Sequence, residues 1–222
     1  MRIKNFPRMN VSVHVVNEQD KNECFVAGKC AIYLERLLNH YPMVNDECFK
    51  LFHWIVGPDI EDITQYLMTQ MKKSQQKEFT EELSECPGDT DQYIYTIAPV
   101  IQKLPKRKIS RVVSLMLQFL KQRMKSLKYR GKADLEKNLG SLRKMLNLTD
   151  QEVEFCAFMF IMSVWTIPVQ FFDNHLECKK FSGRKYLTTA LDIGHRELNG
   201  ILGGPWVRSA WSICPSSGMN LT

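Results

Sequence analysis

The sequence lacks an apolar run long enough to cross a membrane. Its longest run, Phe155 to Trp165, has eleven residues and is interrupted by Ser163, whereas a membrane-spanning helix needs about 20. The basic N-terminus is not followed by the apolar stretch of a signal peptide. We therefore expect a cytoplasmic protein with no membrane partner, and we interpret this run as a buried helix.

A phosphate-binding loop of the form Gly-x-x-x-x-Gly-Lys-Ser/Thr is also missing, which excludes nucleotide binding by that route. The seven cysteines are an odd number, and the chain is too long for a small disulfide-stapled domain, so we interpret them as reduced thiols. No nucleophile, acid–base pair or metal-ligand spacing can be assembled from the remaining residues. An enzyme is the least favoured function class, and we predict no catalytic residue, no metal site and no cofactor.

Acidic residues are absent between Asp91 and Asp134. Residues 103–147 hold 14 basic and 2 acidic side chains, whereas residues 1–102 hold 10 basic and 15 acidic ones. One interpretation of this basic segment is a binding face for nucleic acid or for an acidic partner. The other is a solvated helix face, or one that complements the acidic N-terminal region. The sequence favours neither interpretation. The predicted basic patch consists of Lys106, Arg107, Lys108, Arg111, Lys121, Arg123 and Lys125.

Hydrophobic periodicity is the main signal that the sequence does contain. It predicts a mainly α protein, in which a helical bundle is followed by a C-terminal winged helix-turn-helix with a small β-hairpin. The predicted domains are residues 1–147, with a β-branched stretch at 11–16 that is compatible with a short strand, and residues 148–222. The predicted helices cover 22–40, 46–56, 59–71, 92–104, 108–128, 133–146 and 153–165, with one or two turns at 79–83 and a loop at 173–174.

The last segment carries the most specific pattern. Thr149 is expected to cap a helix, with Glu152 one place short of a full capping box. Further on, apolar residues predict two short helices that pack at a steep angle on either side of a turn at Asp192 and Ile193. Residues 206–213 alternate like a strand, and 219–222 begin a return strand, which together predict a wing. A plain helical hairpin within a larger bundle is the simpler alternative.

A winged helix presents the N-terminal residues of its second helix outward. The predicted partner- or DNA-binding residues are Arg184, Lys185, His195, Arg196, Asn199 and Arg208. Their four cations are opposed by Asp192 and Glu197, so the face carries only +2, whereas duplex binding usually needs several phosphate contacts. A protein partner is therefore at least as well supported as duplex DNA.

Two segments, Leu148–Phe155 and Leu187–Leu202, resemble a group of bacterial AAA-type ATPases in which a helical region and a winged-helix-like module precede the ATPase core. The shared features are a Leu-x-Leu-(Ser/Thr)-x-x-Glu helix start, a helix-turn-helix that ends in Glu-Leu-x-x-x-Leu, and a strand after an Arg-Ser pair, here Arg208-Ser209. The resemblance covers roughly residues 25–222. The nucleotide-binding loop, the acidic Mg-binding strand and the arginine finger of that family have no counterpart here, and Trp211 stands where a small residue is usual.

The leading hypothesis is a non-catalytic accessory or recruitment region of an AAA-type ATPase, which binds a protein or nucleic-acid partner through the winged helix. ATP hydrolysis would then belong to a core in cis beyond residue 222. The alternative is a free-standing winged-helix DNA-binding transcriptional regulator, which the helix-turn-helix and the basic segment favour. Neither hypothesis specifies the oligomeric state.

Overall fold

The computed structural model describes residues 16–42, 44–57, 61–85, 90–127, 131–176 and 183–204. All regular secondary structure in these residues is helical, which confirms the prediction of a mainly α protein. The predicted strand falls on residues that are almost all outside the described ones, and the predicted hairpin lies wholly outside them. In chain order the described helices are α1 (Lys21–His40), α2 (Asp46–Val56), α3 (Glu61–Thr69), α4 (Lys73–Glu85), α5 (Thr90–Gln102), α6 (Lys106–Ser126), α7 (Asp134–Leu146), α8 (Asp150–Val164), α9 (Thr166–Leu176), α10 (Gly183–Leu191) and α11 (His195–Gly203).

These helices group into two compact units. Unit 1 comprises the described residues of 16–17 and Pro42–Leu127. Within it α2 packs against α5 and α6, α3 contacts the same two helices, and α4 contacts α5. The core of unit 1 is formed by fully buried side chains: Phe49, Phe52, Ile55, Ile97, Ile101, Val112, Met116 and Leu120.

Helix α2 shows how the sequence sets helix boundaries in unit 1. The Asn45 side chain accepts a hydrogen bond of 3.0 Å from the Cys48 N–H, and so satisfies a donor that has no partner within the helix. At the other end Gly57 has a φ of 88°, a region that favours glycine. Its N–H bonds the His53 carbonyl at 2.8 Å. Both ends agree with the predicted helix over residues 46–56.

Helix α4 is longer than the sequence predicts. Only a turn or two around Phe79 and Leu83 was expected, because the residues before them are polar, yet the helix has 13 residues. The Gln76 side-chain amide donates to the carbonyls of Met68 and Met71 at 2.8 and 3.1 Å. These carbonyls lie at and just after the end of α3, so one side chain ends one helix and fixes the start of the next.

Unit 2 comprises Glu18–Tyr41 together with the described residues of 131–204. Helix α1 packs against α7 and α10, helices α8, α9 and α10 contact one another, and α11 contacts α10. The predicted boundary between residues 147 and 148 falls inside this unit, between α7 and α8, which are in contact. Helix α1, which the sequence assigned to the first domain, therefore packs with helices from the other half of the chain.

An aromatic cluster forms the centre of unit 2. The Tyr33 ring of α1 meets Phe158 of α8 and Phe172 of α9 edge to face, with centroids 5.9 and 6.2 Å apart. Phe158 and Phe172 make a third such pair at 5.1 Å. Each pair adds about 0.5–1.5 kcal/mol beyond the burial of the rings. One cluster thus holds α1 against α8 and α9, which lie more than a hundred residues further along the chain.

Helix α8 begins with a complete capping box. The Thr149 hydroxyl accepts from the Glu152 N–H at 3.2 Å, and the Glu152 carboxylate accepts from the Thr149 N–H at 2.8 Å. The expectation that Glu152 is one place short was wrong, because it is the third residue after the cap, as the motif requires. The apolar run behind it is buried on one side only, since Phe160 and Val164 are 43% and 56% exposed.

Helix α9 contains residues 173 and 174, which the sequence predicted as a loop, and it also contains Pro168. That proline is the third residue of the helix, where a missing N–H costs little because such donors have no intrahelical partner. Phe171 and Phe172 are buried and anchor the helix. No single described helix is long and apolar enough to cross a membrane; α8 and Thr166–Asp173 together meet that test, but with a bend of 107°.

Candidate partner-binding face

The sharp bend predicted at Asp192 is present between α10 and α11. Asp192 has a φ of 58°, in the left-handed region that Asp tolerates better than most residues. Ile193 is 8% exposed, and its N–H bonds the Thr188 carbonyl at 3.1 Å, which closes the end of α10. Residues 185–202 therefore form two helices and not one rod.

Arg36 of α1 holds this turn. Its Nη1 donates to the Ala190 carbonyl at 3.0 Å, and its Nη2 lies 3.6 Å from Asp192 Oδ2. Carbonyls at the end of a helix have no intrahelical donor, so the guanidinium supplies one. Arg36 was not among the predicted residues, because it lies 154 residues before Ala190 and nothing in its neighbourhood marks it.

We expect Arg36→Ala to lower the free energy of unfolding by about 1–2 kcal/mol, because the Ala190 carbonyl loses a charged donor. Urea denaturation followed by circular dichroism measures this loss. Arg143→Ala is the matched control: Arg143 pairs with Asp150 at 2.8 Å, but their side chains are 52% and 80% exposed, and such a pair contributes little. Equal losses in the two variants would contradict the role of Arg36.

One side of α11 is anchored and the others face solvent. Leu198 and Ile201 are 0% and 4% exposed, and they fix the helix against unit 2. His195, Arg196 and Asn199 are all exposed, as the amphipathic pattern predicts. The N-terminal end of α11 is thus accessible to a partner.

The start of α10 joins the same face. Arg184 and Lys185 are exposed, and Arg184 Nη1 donates to Asn199 Oδ1 at 3.3 Å. The structure therefore brings five of the six predicted residues onto adjoining helix ends, while Arg208 lies outside the described residues. We call this set the α10–α11 face: Arg184, Lys185, His195, Arg196 and Asn199.

Both carboxylates on this face are engaged by the protein itself. Asp192 pairs with Arg36, and the Glu197 carboxylate accepts a hydrogen bond from the Gly194 N–H at the N-terminus of α11, where negative charge is favoured. No ion pair among the described residues involves Lys185 or Arg196. The positive charge of the face is consequently less offset than a count of charges suggests.

The predicted basic patch lies on α6 in unit 1, and its members differ in exposure. Arg123 is half-buried, and its Nε donates to the Ile55 carbonyl at 2.9 Å, so it stabilises the junction of α6 with the end of α2. Lys108 is also half-buried. The exposed members are Lys106, Arg107, Arg111, Lys121 and Lys125.

A hydrogen-bonded network in unit 2 was not predicted at all. The Tyr33 hydroxyl donates to Glu154 Oε1 at 2.8 Å, and the Lys29 ammonium bonds the other carboxylate oxygen. Tyr33 is fully buried, while the side chains of Lys29 and Glu154 are 24% and 23% exposed. Burial and the neighbouring carboxylate raise the pKa of Tyr33 well above its ordinary value. No local pattern reveals a network whose members lie over a hundred residues apart.

His53 is a buried titratable group in unit 1. It is 1% exposed, its ring centroid lies 5.7 Å from that of Tyr93, and its Nδ1 has no hydrogen-bond partner among the described residues. The Tyr93 hydroxyl in turn lies 3.1 Å from Thr64 Oγ1. Burial disfavours the imidazolium and lowers the pKa of His53 to about 4, so the ring is neutral at neutral pH.

The described cysteines are free thiols, as the sequence predicts for them. Cys24, Cys30 and Cys48 are buried, and Cys156 is half-buried. Burial raises the pKa of Cys48 to about 12 and also raises that of Cys30, so neither is a nucleophile at neutral pH. In the described ranges no group of three or more His, Cys, Asp or Glu side chains is arranged to hold a metal ion.

The function of the α10–α11 face has to be inferred from its own geometry. The resemblance to AAA-type ATPases rests on short motifs in the segments 148–155 and 187–202 and on the Arg208-Ser209 pair. No family model, curated protein or solved structure matches the chain at a significant level.

Proposed function

We propose that this chain is a non-catalytic binding module that engages its partner through the α10–α11 face. The observation that carries the proposal is the outward N-terminal end of α11, where His195, Arg196 and Asn199 are exposed and Leu198 and Ile201 anchor the helix. In a helix-turn-helix, this end of the second helix contacts base edges in the major groove. A rigid helix end with outward polar side chains suits recognition better than a mobile loop does.

Duplex DNA is the partner that the charges of this face favour. Its carboxylates are occupied by Arg36 and by the backbone of α11, which leaves Lys185 and Arg196 for phosphates and bases. Arginine and asparagine are the side chains that bond guanine and adenine in the major groove. Arg184 already bonds Asn199, so a base that Asn199 reads has to compete with that bond.

We expect Arg196→Ala to weaken binding of the preferred duplex about tenfold or more, and to relax the preference at one base pair. The preferred sequence is first selected from a random duplex library with the unmodified chain. Fluorescence anisotropy then gives the dissociation constant for both chains at a fixed salt concentration. Loss of a contact to a base edge weakens binding mainly to the preferred duplex. The ratio of the affinity for the preferred duplex to the affinity for a random duplex should therefore fall.

Arg143→Ala is the control, because it removes one exposed cation of unit 2 that lies on α7 and not on the α10–α11 face. It should leave the ratio unchanged. If no duplex binds at low salt, or if Arg196→Ala keeps the full preference, the DNA-binding assignment fails. Binding to a protein partner is then the remaining form of the proposal.

A role beside an AAA-type ATPase core is a second proposal. What supports it is the resemblance of Leu148–Phe155 and Leu187–Leu202 to the modules that precede such cores. On this proposal the chain recruits or positions a partner and the core hydrolyses ATP. Reading the coding sequence past Thr222 tests it: a core encoded in the same frame supports the accessory role, and a stop codon leaves the free-standing regulator.

A further inference from the structure

The exposed side of α6 carries its cations in a straight line. With 3.6 residues per turn, each residue advances about 100° around the helix, so positions 107, 111, 114, 118, 121 and 125 fall within about 40° of one direction. All six side chains are exposed. We call them the α6 stripe: Arg107, Arg111, Ser114, Gln118, Lys121 and Lys125.

The opposite side of the same helix faces the core of unit 1. Val112, Val113, Met116 and Leu120 are 4% exposed or less, and by the same geometry they point about 180° from the stripe. Packing against α2, α3 and α5 therefore fixes which way the stripe looks. The stripe is therefore a row of side chains on a helix whose other side is anchored in the core of unit 1, and not a set of charges on a loop.

The charge of the stripe is not offset within α6. No Asp or Glu occurs between Asp91 and Asp134, so the helix has no carboxylate of its own. In the part of the chain that the structure describes, no ion pair involves Arg107, Arg111 or Lys125. Exposed carboxylates of unit 1, such as Glu78 and Glu81, lie on α4. A row of four exposed cations, on a helix that has no carboxylate of its own, calls for an anionic ligand of matching length.

The spacing of the stripe gives that length. Arg107 and Arg111 form one pair of cations, Lys121 and Lys125 form the other, and the pair centres lie about 21 Å apart at 1.5 Å per residue. Between them stand Ser114 and Gln118, which are neutral and can hydrogen-bond base edges. The major groove of B-form DNA is about 12 Å wide between its walls. Long side chains that start about 21 Å apart reach the phosphates on both of its rims.

We propose that α6 lies across the major groove of duplex DNA, with one cation pair on each strand, as a sequence-independent backbone clamp. The clamp is on unit 1, so it does not depend on the α10–α11 face. Phosphate contacts of this kind position a protein on the duplex and supply salt-dependent affinity, whereas base contacts supply specificity. Unit 1 would then supply affinity for duplex DNA of any sequence, and unit 2 would supply the preference for a particular sequence.

Other polyanions fit the stripe less well. Single-stranded nucleic acid is usually held by aromatic side chains on which bases stack, and the stripe has none; the nearest ring on α6, Phe119, packs edge-on against Phe52 with centroids 6.4 Å apart. An acidic protein partner would need apolar side chains at the centre of the interface, and the stripe offers Ser114 and Gln118 there. In A-form RNA the major groove is narrow, so two cation pairs about 21 Å apart do not match the spacing of the phosphates on its rims.

The test uses the full chain and a short fluorescein-labelled DNA duplex of mixed sequence, with anisotropy measured over a series of salt concentrations. We expect Arg107→Gln/Arg111→Gln and Lys121→Gln/Lys125→Gln each to lower affinity about tenfold at low salt and to reduce the slope of log affinity against log salt by about 2, since each lost phosphate contact lowers it by about 0.9. Circular dichroism confirms that the variants remain folded.

Lys73→Gln/Lys77→Gln is the matched control. It removes the same two charges from exposed positions of α4 in the same unit, so it should change the slope little. The clamp is overturned if the stripe variants behave like this control, if the unmodified chain binds no duplex, or if single-stranded DNA, duplex RNA or polyglutamate competes better than duplex DNA. Arg196→Ala is measured in parallel. If the slope of log affinity against log salt falls in the stripe variants and not in Arg196→Ala, the clamp is supported even where the α10–α11 face shows no preference for a DNA sequence.

Discussion

Acidification from about pH 7 to pH 4 should lower the stability of unit 1 by about 3 kcal/mol through His53 alone. Burial against Tyr93 lowers the pKa of the His53 imidazole to about 4 in the folded state, whereas in the unfolded chain it is near 6.5. Between these values the unfolded chain binds a proton that the folded chain does not. The stabilising contribution is therefore complete above about pH 6.5 and is lost as the pH falls towards 4.

Denaturant titrations at a series of pH values, with circular dichroism as the readout, measure this dependence. His53→Phe keeps a ring against Tyr93 but cannot take up a proton, so its stability should fall much less between pH 6.5 and 4. It also removes an Nδ1 that lacks a partner among the described residues. His40→Gln is the control, since His40 is exposed. Parallel stability curves for the unmodified chain and His53→Phe would show that the buried imidazole is not the acid-sensitive group.

Removal of the Glu154 carboxylate should destabilise unit 2. Glu154→Ala leaves the buried Tyr33 hydroxyl without an acceptor and the Lys29 ammonium, which is 24% exposed, without its counter-charge. We expect a loss of about 2–3 kcal/mol in the free energy of unfolding, because a buried polar group and a partly buried charge are both left unsatisfied. Urea denaturation at neutral pH measures it.

A double-mutant cycle separates the network from simple loss of packing. Tyr33→Phe removes the hydroxyl itself, so no buried donor is left without an acceptor. It should lower the free energy of unfolding by only about 1 kcal/mol. In the Tyr33→Phe background, Glu154→Ala should then cost less than it does alone, and the difference is the coupling energy. Glu154→Gln, which keeps an acceptor for Tyr33 but loses the charge opposite Lys29, should fall between. Additive losses would mean that the two side chains do not act together.

Local signals in the sequence predicted much of the secondary structure. Asn45 and Asn147 mark helix ends because a short side chain can cap a helix or adopt the left-handed backbone, and Asn147 has a φ of 49°. The predictions failed where apolar residues were sparse, as in α4, and at residues 173–174, which were predicted as a loop and lie inside α9. Both errors arose because tertiary contacts stabilise helices whose own pattern is weak.

The candidate face was predictable only in part. The exposed residues of α11 could be predicted from the spacing of Leu198 and Ile201. These apolar residues mark the buried side of an amphipathic helix, and the residues on the other side then face solvent. The sequence did not predict that the Arg36 guanidinium bonds the Ala190 carbonyl. It also did not predict that Arg123 bonds the Ile55 carbonyl at the end of α2. These contacts depend on which helices pack together, and periodicity within one helix carries no information about its neighbours.

The division of unit 2 along the chain has a consequence during translation. Helix α1 leaves the ribosome early, but its contact with Ala190 waits for another 154 residues to be synthesised. Until α7 has been synthesised, the apolar side of the nascent α1, which includes Val26 and Leu34, lacks the helices of unit 2 against which it packs. All helices of unit 1 are therefore synthesised before unit 2 is complete, although α1 of unit 2 is the first of the described helices.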